Sequence, residues 1–81
     1  MSLDRERVLL ESKINALNRD REIKIMEGEM WVTQVRDKLS PYLEFCEADV
    51  DKAELAMNEI VKLRKEIDLL NREITALERR L

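Results

Sequence analysis

Ile60, Ile67, Ile74 and Leu81 recur every seven residues, and Leu63, Leu70 and Leu77 recur with the same period three residues later. Apolar side chains at alternating spacings of three and four form one narrow stripe on an α-helix, the a/d seam of a coiled coil, here with Ile at a and Leu at d. Followed back towards the middle of the chain, the a positions fall on Cys46 and Ala53 and the d positions on Asp49 and Ala56. The stripe therefore becomes small and polar towards residue 49.

The first half of the chain is striped as well. Leu3, Leu10 and Leu17 occupy one seam position, and Arg7, Ile14 and Arg21 the other. After Leu17 the apolar set moves to Ile25, Val32 and Leu39, with Gly28 and Val35 between them. Two successive steps of four residues (17 to 21 to 25) are a stutter, which locally unwinds a supercoil. Ile23, Met26, Met30 and Trp31 lie outside this seam and widen the apolar face.

Ser40-Pro41 separates the two stripes. Proline inside a helix loses a hydrogen bond and clashes with the preceding turn, at about 3 kcal/mol. Serine followed by proline is instead a favourable N-cap and first helical residue. The pattern thus predicts an all-α fold, an antiparallel helical hairpin with helices over about 3–39 and 41–81. A rival start for the second helix lies near Asp51, where Asp51-Lys52-Ala53-Glu54 has the spacing of a capping box. Residues 40–50 would then be a short connection.

Folding the chain about residue 40 matches the stripes. Leu3 then faces Leu77, Leu10 faces Leu70 and Leu17 faces Leu63; Ile14 faces Ile67, Gly28 faces Ala53 and Val35 faces Cys46. Arg21 comes opposite Glu59 or Ile60. Two copies of an unbroken helix packed antiparallel give the same pairs. Length separates the two: a hairpin is about 60 Å long and a continuous helix about 120 Å, at 1.5 Å per residue. Two hairpins could also pair into a four-helix bundle, which would cover Met30 and Trp31.

Composition agrees with helix. The 81 residues contain one Gly, one Pro and three aromatics, and 41 % are charged. So short a chain forms one module, and Arg79-Arg80-Leu81 stops in mid-heptad, as a segment of a longer coiled coil would. Net charge is −3, with acids and bases interleaved, unlike the clustered basic face of a nucleic-acid binder. The charge is uneven: residues 40–59 hold six acids against Lys52 alone, whereas 60–81 hold six bases and four acids. Membrane-surface helices favour Lys and Arg on the polar face, so neither nucleic acid nor membrane is the expected partner. No apolar run approaches the ~18 residues of a membrane span. A single cysteine excludes an internal disulfide and fits a cytoplasmic, or alternatively nuclear, setting.

The residues offer little catalytic chemistry. There is no His, so acid–base work would fall to carboxylates or Lys in a pocket, which a two-helix rod lacks. One Cys does not make a zinc site, and no cofactor motif is present. The expected class is a non-enzymatic coiled-coil interaction and oligomerisation module, a scaffold or spacer in a larger assembly such as a cytoskeletal one. Its expected partners are proteins, among them a second copy of itself.

Four features have two readings each. Cys46 is either a reactive thiol or, as the a position and acidic neighbours favour, a small core residue. Trp31, Tyr42 and Phe45 near the bend are either a recognition knob or, slightly favoured, bulky plugs of the bend. The acids beside them suit the start of a helix, or a basic partner. Gly28 in mid-helix costs about 1 kcal/mol relative to Ala. It either permits close packing opposite Ala53, the favoured reading, or leaves a notch beside Met26, Met30 and Met57. The candidate partner-binding residues are therefore Ile23, Met26, Met30, Trp31, Tyr42 and Phe45.

The stretch Glu22-Ile23-Lys24-Ile25-Met26-Glu27-Gly28 resembles the first-helix signature of the Rho-effector homology-region finger of protein-kinase-N-type kinases and rhotekin-like proteins. The likeness extends loosely to the Leu-rich run Val61–Leu70. Family members usually carry Ala after the Gly, where this chain has Glu29, and are commonly more basic. The resemblance implies an antiparallel hairpin that binds a GTP-loaded Rho-type small GTPase, with Ile23, Lys24, Glu27 and Gly28 as the positions that carry over.

Overall fold

The structure is a computed structural model that describes residues 2–81, with side chains described from Asp4 onward. Two helices, α1 (Ser2–Lys38) and α2 (Val50–Glu78), pack antiparallel along most of their length. The chain measures 67 × 14 × 14 Å, the dimensions of a hairpin and not of an unbroken helix. The chain supplies two helices, which by themselves make a hairpin and not a four-helix bundle.

α1 carries Asp4 in its first turn and Arg36 and Lys38 in its last, where they complement the helix dipole. It ends where the next residues cannot follow. The amide of Leu39 still donates to the Val35 carbonyl at 3.0 Å, but Ser40 precedes proline and is pushed out of the helical region.

The second helix starts nine residues later than position 41. Ser40-Pro41 does open a turn: the Ser40 hydroxyl accepts from the Tyr42 amide at 3.3 Å and its carbonyl from the Leu43 amide at 3.0 Å. That turn does not propagate, because Glu44 is extended (φ −71, ψ 157). One turn of 3₁₀ helix, Phe45–Glu47, follows. The boundary near Asp51 was the nearer expectation, although the capping residue is Asp49, whose carboxylate accepts from the Lys52 amide at 3.0 Å. The Asp49 amide in turn donates to the Lys38 carbonyl at 3.2 Å, tying the start of α2 to the end of α1.

This longer connection shifts the pairing. Arg21 donates to Asn71 at 2.8 Å instead of facing Glu59 or Ile60, and Lys24 pairs with Glu66 at 3.2 Å. Ile14 packs with Ile74 and Leu77 instead of Ile67, flanked by Leu10 and Leu17. Facing residue numbers thus sum to about 90 instead of 80 or 81, because the chain folds near Phe45 and not at Ser40.

The seam is that of the heptads nonetheless. Ile14, Leu63, Leu70, Ile74 and Leu77 are buried, as are Ala53 and Ala56, the least exposed of the described residues. Leu10, Leu17, Val32, Val35, Ile60 and Ile67 are half-buried. Ile25 and Leu39 are exposed and fall outside the buried seam, and the side chain of Leu3 lies outside the described residues. No polar side chain is buried among the described residues. Truncating a buried Ile to Ala removes apolar contact and leaves a void. Ile74→Ala should therefore lower unfolding stability by about 2 kcal/mol or more in urea titration, whereas Leu69→Ala, at an exposed position, should change it by less than about 0.5 kcal/mol.

Candidate interaction surface

A surface depression lies between the helices at mid-rod. It is a groove of about 560 Å³. Ile25, Gly28 and Val32 of α1 and Ile60, Leu63 and Ile67 of α2 form its apolar lining. Glu29 and Arg36 stand on one rim, Arg64 and Asp68 on the other. Met57 and Val61, both exposed, continue the α2 side of this face, since Met57, Val61, Arg64 and Asp68 follow one another at steps of four, three and four.

Gly28 opens this groove. A methyl group built on its Cα meets no atom within 4 Å, so close helix packing does not require glycine here. Nor does Gly28 lie opposite Ala53; the groove places it across from Leu63 and its neighbours. Of the two readings of Gly28, the notch is the one present, although its walls are Ile25, Val32, Ile60 and Ile67 and not the methionines.

The other rim of the rod is closed by charge. Lys24 reaches Glu66 on α2 at 3.2 Å and Asp20 on its own helix at 3.9 Å. The hydrogen bond that Lys24 donates to the Glu66 carboxylate, aided by the fields of Asp20, Glu66 and Glu27, holds the Lys24 ammonium above the ordinary lysine range against a smaller desolvation effect.

Of the predicted partner-binding residues, Ile23, Met26 and Met30 are exposed on α1, at spacings of three and four that make one outward line. Trp31 is half-buried. Tyr42 and Phe45 are 95 % and 89 % exposed, so they do not plug the bend; they stand bare at the loop. Cys46 is also exposed and belongs to the 3₁₀ turn, not to the seam, because α2 begins four residues after it. The structure therefore does not gather the six candidates into one site. It divides them between the outer face of α1 and the loop. The groove was not recognised as a site from the sequence, although the spacing of Gly28 between Ile25 and Val32 was its signal.

Comparison with known protein families, curated proteins and solved structures finds no match to this chain. No described helix is long and apolar enough to cross a membrane.

Two consequences are measurable. Gly28→Ala restores helix propensity without a clash, so in dilute solution it should stabilise the hairpin by up to about 1 kcal/mol, read as a melting temperature several degrees higher. Lys24 has a folded-state pKa raised above its unfolded value, so its contribution is fully present below the unfolded lysine pKa and is lost as pH rises through the folded one. Comparing wild type with Lys24→Met should therefore show a stability difference that is constant through neutral pH and vanishes only in the strongly alkaline range.

Proposed function

We propose that this chain is a non-enzymatic coiled-coil interaction module, a rigid spacer that docks protein through the face carrying the Gly28 groove. One observation carries the reading. The hairpin leaves apolar walls (Ile25, Val32, Ile60, Ile67) open to solvent around a mid-helix glycine that its own packing does not need. Apolar grooves of this shape accept an amphipathic helix, whose side chains enter as ridges between the two rows. The charged rims limit where such a helix can sit. The two helices pack along most of their length, which suits a rod that sets a distance.

A second reading rests on the outward line of Ile23, Met26 and Met30, apolar positions that neither helix covers. Together with the resemblance around Gly28, it describes recognition of a GTP-loaded Rho-type GTPase by the outer face of α1.

A photo-crosslinking side chain separates these readings. Placed at Val32 in the groove, it should form protein adducts in cells, while the same group at the outward Arg72 should form none. Absence of adducts at Val32 overturns the groove reading. Retention of the chain on GTP-loaded but not GDP-loaded GTPase, abolished by Met26→Asp, would establish the second reading instead.

A further inference from the structure

We infer that the loop end of the rod is a second contact surface, built on Tyr42 and Phe45, and that its partner is an arginine-bearing segment of a basic protein. The inference does not rest on the groove, which lies at mid-rod between the helices.

The aromatics are the first observation. Tyr42 is 95 % exposed and Phe45 89 %, and Leu39 and Val50 are exposed at the same end. A single apolar side chain in water needs no explanation. Here two of the chain's three aromatics stand bare within four residues. The hairpin does not need them, because Ala53 and Ala56 close the seam at the loop end of α2 and are buried without their help.

Neither ring hangs on a slack loop. Tyr42 sits in a turn closed by the Leu43 amide on the Ser40 carbonyl at 3.0 Å, and its own amide donates to the Ser40 hydroxyl at 3.3 Å. Phe45 opens the 3₁₀ turn, in which the Glu47 amide donates to the Glu44 carbonyl at 2.9 Å. The Asp49 amide then ties the end of the link to Lys38. A backbone held in this way gives up little further freedom when a partner arrives, which favours binding.

Charge selects the partner. Glu44 and Glu47 flank Phe45 in the sequence, and both are exposed. Neither has a task in the link: the Glu44 side chain makes no cap hydrogen bond, and no ion pair among the described residues includes Glu44 or Glu47. Asp49 and Asp51 differ, since they serve the start of α2. Asp49 caps that helix and lies 3.8 Å from the Lys52 ammonium. From Arg36 to Lys52 there are five acids and three bases, and two of the bases, Arg36 and Lys38, occupy the last turn of α1. The rings therefore stand in net acidic surroundings, which repel nucleic acid and anionic lipid. Bare rings with unpaired carboxylates beside them suit a cation that has a flat face. The guanidinium of arginine is such a group: it stacks on aromatic rings, and its N–H fork matches a carboxylate. A lysine ammonium supplies the charge without the flat face.

Nuclear magnetic resonance on the full chain tests this directly. The chain has one Tyr, one Phe and one Trp, so the ring signals of Tyr42, Phe45 and Trp31 each identify one residue. The probes are a peptide of alternating arginine and glycine and a lysine–glycine peptide of equal charge. The arginine peptide should shift the Tyr42 and Phe45 signals saturably, leave Trp31 in place, and bind at least about threefold more tightly than the lysine peptide. Tyr42→Ser and Phe45→Ser should each weaken binding by about fivefold or more. Glu44→Gln combined with Glu47→Gln should weaken it by about threefold, and Leu69→Ala, on α2 away from the loop, should not change it. Circular dichroism separates folding from binding, and the exposed rings predict an unchanged melting temperature for both serine variants. Absence of a saturable shift, equal affinity for the two peptides, or ring variants that bind as well as wild type overturns the inference. So does sedimentation with phosphatidylcholine vesicles that Phe45→Ser abolishes, which would make the loop end a lipid contact. None of these results bears on the groove, which the Val32 cross-link reads separately.

Discussion

The hydrogen bond from the Asp49 amide to the Lys38 carbonyl sets where the chain turns, and the pairing of the two helices follows from that point. Once Lys38 and Asp49 are adjacent, each residue of α1 has a fixed counterpart on α2. Arg21 meets Asn71, Lys24 meets Glu66, and Ile14 enters the layer of Ile74 and Leu77. The seam itself does not choose among alignments. It contains no buried polar side chain among the described residues, and apolar contact is indifferent to which Leu meets which Ile. Specificity has to come from the link and from the few polar contacts at the edges.

That division of labour shapes the surface. Lys24 and Glu66 bridge one edge of the interface, while the other edge opens into the groove at Gly28. A two-helix rod cannot bury both flanks of an apolar stripe that the stutter after Leu17 has widened. Ile25 accordingly stays 42 % exposed, and Ile60 and Ile67 are only half covered. The uncovered flank is thus a consequence of having two helices where the apolar pattern could occupy more, and it is the part of the molecule available for association.

The hairpin, the stripe from Ile60 to Leu77 and the small residues near the bend were legible in the sequence, because they follow from heptad spacing and from a chain with almost no turn residues. The alignment was not. Moving the fold from residue 40 to the neighbourhood of Phe45 changes the facing sum by about ten, close to one and a half heptads. Such a shift exchanges a and d positions and still sets apolar against apolar, so Ile14 is satisfied by Ile67 or by Ile74 and Leu77 alike. Only the length of the link distinguishes them, and Ser40-Pro41 has the composition of a helix start while forming just one turn. The positions of Cys46, Tyr42 and Phe45 were misjudged for the same reason: each was assigned to a helix or to its packing, and each lies in the link.

The two ends of the rod are chemically unlike. One is a loop with bare Tyr42 and Phe45 among Glu44, Glu47, Asp49 and Asp51; the other is a pair of helix ends with Arg79 and Arg80 beside it. A single hairpin is therefore a one-headed object, able to present its aromatics in one direction only.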